Sequence, residues 1–73
     1  MKVVATTCLS FVLEIDDKYK DLANDRFEPS DDLINDCEED VWQAFIKKYP
    51  GAAKLISEFS AIYDYNGNLM LEY

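Results

Sequence analysis

The chain has 73 residues, fifteen acidic and seven basic with no histidine, for a formal net charge of −8 at pH 7. That length allows one small domain, which buries only about 60% of its unfolded surface and has a thin stability margin. The charge works against binding nucleic acid or an anionic membrane and in favour of basic partners or plain solubility, while 49% hydrophobic residues and five tyrosines argue against a disordered acidic tail.

The first element is predicted as one long half-buried strand over about residues 2–15. Val3, Ala5, Leu9, Phe11, Leu13 and Ile15 alternate with Val4, Thr6, Cys8, Ser10, Val12 and Glu14 at a period of two. Lys2 ahead of an uncharged run resembles a weak signal peptide. Thr6, Thr7 and Ser10 interrupt that run, Glu14-Ile15-Asp16-Asp17 ends it, and no small-x-small cleavage site follows, so the strand is the better reading. No run approaches a membrane span.

Residues 16–29 mix charges around Tyr19, Leu22 and Phe27, and are expected to form a loop with one or two turns or a short helix. A helix over about 31–49 follows, with Ser30 as N-cap and Asp31 and Asp32 in its first turn. Leu33, Ile34, Cys37, Val41, Trp42, Phe45 and Ile46 recur at helical spacing on one apolar face, Lys47 and Lys48 suit the last turn, and Tyr49-Pro50-Gly51 stops the helix.

A hairpin is predicted over about 57–73, although residues 52–57 also suit a helix. In Asp64-Tyr65-Asn66-Gly67 the residue types match a type I turn followed by a left-handed position. The register this implies pairs Tyr63 with Leu69, Ala61 with Leu71 and Phe59 with Tyr73, all facing the core. The expected fold is therefore α+β, a single β-α-β-β domain with a three-stranded antiparallel sheet and one amphipathic helix across one face. The sheet's other face is expected to carry Val4, Val12, Ile62 and Met70 within an acidic rim.

Little in this inventory suits catalysis. Nucleophilic triads and common metal sites lean on histidine, which is absent, and the two glycines, Gly51 and Gly67, read as structural stops rather than a phosphate loop. Carboxylate pairs abound, but a glycosidase also needs a sizeable cleft. Asp64, Asn66, Asn68 and Glu72 alternate as oxygen ligands, yet Gly67 is misplaced for a calcium loop and a turn explains the same residues. Cys8 and Cys37 lack the CxxC spacing and read as two reduced, buried or half-buried thiols in a cytoplasmic protein. No enzyme activity, metal or cofactor is expected.

The remaining feature is the acidic run Asp31-Asp32-Leu33-Ile34-Asn35-Asp36-Cys37-Glu38-Glu39-Asp40. On a helical wheel Asp32, Asp36, Glu39 and Asp40 lie together opposite the apolar face. The helix dipole favours Asp31 and Asp32 but fades before Glu38 to Asp40, where like charges repel by a few tenths of a kcal/mol per pair. One reading is a solvated face. The other is a binding face whose carboxylates, about 5–6 Å apart along the helix, imitate the charge spacing of a phosphate backbone. Tyr19 and Tyr65 are the candidate aromatic anchors, because the three-stranded arrangement has no core place for them.

No segment carries a family motif residue by residue. At the level of class alone, the chain is similar to small acidic phage-encoded inhibitors of bacterial defence nucleases, anti-CRISPR proteins among them, and equally to antitoxins and immunity proteins. Either likeness implies a non-catalytic module that blocks a basic, nucleic-acid-handling protein without touching nucleic acid or membrane itself. The alternative from another class is a structural subunit forming a homodimer through the sheet face of Val12, Ile62 and Met70.

Overall fold

Residues 2–15 form two strands instead of one. In the computed structural model, which describes residues 1–72, β1 (Lys2–Thr6) turns back into β2 (Ser10–Glu14). With β3 (Ala61–Asp64) and β4 (Leu69–Glu72) they make a four-stranded antiparallel sheet in the order β2-β1-β3-β4. The α+β class stands, and the sheet has four strands where three were expected.

Parity explains why the fold-back escapes a period-two reading. The register sets Val3 opposite Leu13 and Ala5 opposite Phe11, so odd residues share one face whether the chain runs straight or folds about Cys8. Length is the better discriminator. A strand over residues 2–15 would run roughly 46 Å at about 3.3 Å per residue, well beyond the molecule's largest extent of 36 Å. The turn uses no glycine or positive φ. Instead the Thr7 hydroxyl accepts from the Leu9 amide at 3.2 Å, and the Thr7 amide donates to the Leu9 carbonyl at 2.7 Å.

The second hairpin closes as its residues predict. Gly67 has φ +88°, its amide donates to the Asp64 carbonyl, and the Asp64 amide donates to Asn68. Asp64 Oδ1 accepts from the Asn66 and Asn68 amides at 2.9 and 2.8 Å, and Oδ2 from Asn68 Nδ2 at 3.0 Å. These bonds hold the Asp64 carboxyl below its ordinary pKa, and they give its oxygens a role in the turn itself. Tyr63 pairs with Leu69 as expected, but a bulge at Met70 then slips the ladder, so that Ile62 faces Leu71 and Ala61 faces Glu72. The expected pairing of Phe59 with Tyr73 falls on a position outside the described residues.

Pairing with β1 gives β3 the facing opposite to the one expected. Ala5, Ile62 and Leu71 lie in one cross-strand row, and Ile62 is fully buried, with Met70 also in the core. Neither belongs to the exposed face. The face away from the core instead carries Val12, Val4, Tyr63 and Leu69, which are successive cross-strand partners over all four strands.

The main helix, α1 (Asp31–Lys48), follows its sequence signals closely. Ser30 Oγ accepts from the Leu33 amide at 3.2 Å, and the helix gives way at Tyr49 to a single turn, α2 (Pro50–Ala53). Residues 54–60 are irregular, so the strand begins later than expected, although Phe59 is buried. α1 buries Cys37, Val41 and Phe45. Phe45 is the hub, 4.9 Å from Phe11 and 5.0 Å from Phe59 edge-to-face, and 5.5 Å from Trp42 in a stack. Tyr49 closes the same cluster against Phe11 at 5.1 Å. A 3₁₀ helix, Asp17–Ala23, adds Tyr19 and Leu22 to this core. No helix among the described residues is long and apolar enough to cross a membrane.

Candidate functional site

The expected acidic face divides into two flanks. Asp32, Asp36 and Glu39 are exposed, whereas Asp40 is half-buried and accepts a hydrogen bond from the Tyr19 hydroxyl. Tyr19 is fully buried, so the residue expected as an exposed anchor is a core residue. The structure supplies the core place missing from a three-stranded arrangement, because the 3₁₀ helix packs against β3 and β4. Burial, then the bond to Asp40, then the charges of Asp40 and Asp36 raise the Tyr19 pKa. Cys37 lies beside them with no exposed surface, and burial pushes its thiol up to about 12. Cys8, expected to be at least half-buried, is an exposed free thiol in the β1–β2 turn.

Tyr65 remains exposed, at 62%, on the tip of the β3–β4 turn. Its ring lies 5.3 Å from the Lys2 ammonium, which places it at the sheet's end rather than on α1.

The opposite flank of α1 holds the feature that sequence reasoning missed. Asn35, Glu38, Glu39, Trp42 and Gln43 of α1 line a shallow groove of about 490 Å³ together with Ser57, Glu58 and Phe59. Trp42 is half-buried, backed by Phe45 and by the edge of Phe59 at 5.2 Å. Glu38 and Trp42 are four residues apart and so neighbours on the surface of α1. Glu58 could not be assigned to the same place, because it arrives on an irregular segment whose path depends on burying Phe59.

The electrostatics of the two flanks share one property. Among the described residues, the only ion pairs within 4.0 Å join the Met1 amine to Glu14 at 3.2 Å and Asp17 at 2.6 Å. No lysine or arginine side chain pairs with any carboxylate of α1. The cations are placed elsewhere, with Lys48 Nζ donating to the Val12 carbonyl on the edge strand at 3.0 Å and Lys18 lying 5.0 Å from the Tyr19 ring. No group of three or more acids and cysteines among the described residues is placed to hold a metal.

Comparison with protein-family models finds no match, and searches of curated proteins and of solved structures likewise find none.

Proposed function

We propose that the chain is a non-catalytic, acidic protein-binding module that engages and blocks a basic partner of the nucleic-acid-handling class, in the cytoplasm. One observation carries this reading: Asp32, Asp36 and Glu39 are exposed along α1 with no cation within ion-pair distance among the described residues. Asp32 benefits from the helix N-terminus, but Asp36 and Glu39 lie beyond the first turn, where the dipole no longer offsets their mutual repulsion. A partner's lysines and arginines relieve that repulsion, and the charge steers encounter. Tyr65 is the aromatic residue left free to add contact area.

Capture from a bacterial lysate with a salt-step elution identifies the partner. The double variant Asp36→Lys, Glu39→Lys should then slow association and flatten its salt dependence. Unchanged affinity and salt response would remove α1 from the interface.

A second reading rests on a different observation, the row Val12, Val4, Tyr63 and Leu69 across the sheet face opposite the core. Leu69 is 43% exposed, and two copies pairing through this row would enlarge a small core. Sedimentation separates the two readings. A dimer broken by Leu69→Asp supports assembly through the sheet, and a monomer at working concentration rules it out.

A further inference from the structure

We infer that the groove between α1 and residues 57–59 is a receptor for a single arginine side chain projecting from the partner protein. This deepens the reading above and rests on it. The groove has a floor and a rim of different chemistry. Its floor is the half-buried Trp42 indole, held by the Phe45 stack at 5.5 Å and the Phe59 edge at 5.2 Å. Its rim holds Glu38, Glu39 and Glu58.

The disposition of the molecule's own cations sharpens the point. Three lysines lie over aromatic rings, and all three rings are tyrosines: Lys2 over Tyr65, Lys18 over Tyr19 and Lys48 over Tyr49. Trp42 is the only tryptophan, and indole is the strongest cation acceptor among the aromatic side chains. Among the described residues it has no cation over it, and none of the three glutamates beside it is ion-paired.

An aromatic floor without a cation, rimmed by carboxylates without cations, is complementary to a positive group that also has a flat face. Arginine meets both conditions. Its guanidinium stacks on an indole while its edge donates to carboxylates in a fork. Lysine offers a point charge without the planar face, and a phosphate or a nucleic-acid strand is repelled by the rim. Asn35, Gln43 and Ser57 line the same groove and supply neutral acceptors for the remaining N–H groups.

The test uses the full chain and the peptide acetyl-Gly-Arg-Gly-Arg-Gly-amide at low salt, read by Trp42 emission. The control is the same peptide with citrulline, which keeps the shape of arginine and removes its charge. The expected result is a saturable change with the arginine peptide and none with citrulline. Trp42→Ala would remove the backing of Phe45 and Phe59 and endanger the fold, so the exposed Glu58→Gln is the informative variant. It should weaken binding about fivefold, the scale of one exposed ion pair, while Asp36→Asn, outside the groove, leaves the Trp42 response unchanged. An equal response to citrulline, or an affinity indifferent to Glu58→Gln, overturns the groove assignment. Calorimetry distinguishes the two levels of failure. Salt-sensitive peptide binding that is silent at Trp42 and weakened by Asp36→Asn overturns the groove alone and leaves the acidic-face reading standing. No binding by either method overturns the groove, and the acidic-face reading falls with it if Asp36→Lys, Glu39→Lys also leaves partner association untouched.

Discussion

The two flanks of α1 carry the same kind of residue and use it differently. On one flank Asp40 takes the hydroxyl proton donor of a fully buried tyrosine, and the carboxylate is part of the fold. On the other, Glu38 and Glu39 stand beside a half-buried tryptophan with no ion-pair partner among the described residues. Adjacent positions in one acidic run thus fall into separate classes, one structural and one available. The deciding factor is what packs alongside: the 3₁₀ helix brings Tyr19 to Asp40, while residues 57–59 bring only another carboxylate and a phenyl edge to Glu38.

The largest test of that contrast is on Tyr19. Tyr19→Ala empties a fully buried site and should cost about 3–5 kcal/mol, as large-to-small aromatic substitutions in cores do, enough to unfold much of so small a domain. Asp40→Ala leaves the buried hydroxyl without its acceptor and should cost about 1–3 kcal/mol. Glu39→Ala, on the groove flank, should stay within about 0.5 kcal/mol of the parent. Urea denaturation of the three variants reads all three values. If Glu39→Ala costs as much as Asp40→Ala, the two flanks are not different in kind.

A smaller effect separates the flanks by pH. Tyr19 and Cys37 both have folded-state pKa values raised above their unfolded ones, chiefly by burial, with Cys37 pushed up to about 12. The folded state therefore holds these protons more tightly than the unfolded state. Their contribution is fully present below pH 9 and is lost as the pH rises from there towards 12. Circular dichroism between pH 8 and 12 should show alkaline unfolding within that window. Tyr19→Phe should shift that unfolding to higher pH relative to its own neutral stability, and a stable fold at pH 12 would contradict the burial of both groups. Of the groove carboxylates Glu38 adds its charge to the Cys37 shift and Glu58 does not, so Glu58→Gln should leave the window in place.

The two hairpins show how far local residues carry a fold. The β3–β4 turn is written in four consecutive residues, because only Gly67 adopts positive φ and Asp64 bonds the amides of its own turn. The β1–β2 turn has no such residues, and its two strands share parity, so the hydrophobic alternation of residues 3–15 is the same for a straight strand and a folded one. Only the strand's length against the size of the domain distinguishes them. Of the site residues, Asp32, Asp36 and Glu39 are exposed as the helical wheel predicts, and Tyr65 is exposed at its turn. Tyr19, Ile62 and Met70 are buried, because a fourth strand enlarges the sheet, the 3₁₀ helix covers part of it, pairing with β1 turns Ile62 to the core, and the bulge lets Met70 be buried beside Leu71.

By itself the sequence determined what depends on neighbours within a few residues. Those features are the Ser30 cap, the span and apolar stripe of α1, the stop at Pro50, the Gly67 turn and the excess negative charge. Backbone sterics and short-range hydrogen bonds act at that range and need no distant partner. The tertiary structure decided what depends on residues meeting across 20 to 60 positions: which strand pairs with which, which face Ile62 presents, which carboxylate is bound to a tyrosine, and which stand around Trp42. Those outcomes follow from covering the largest apolar area with one closed set of contacts, and no single stretch of this chain contains enough of that area to choose them.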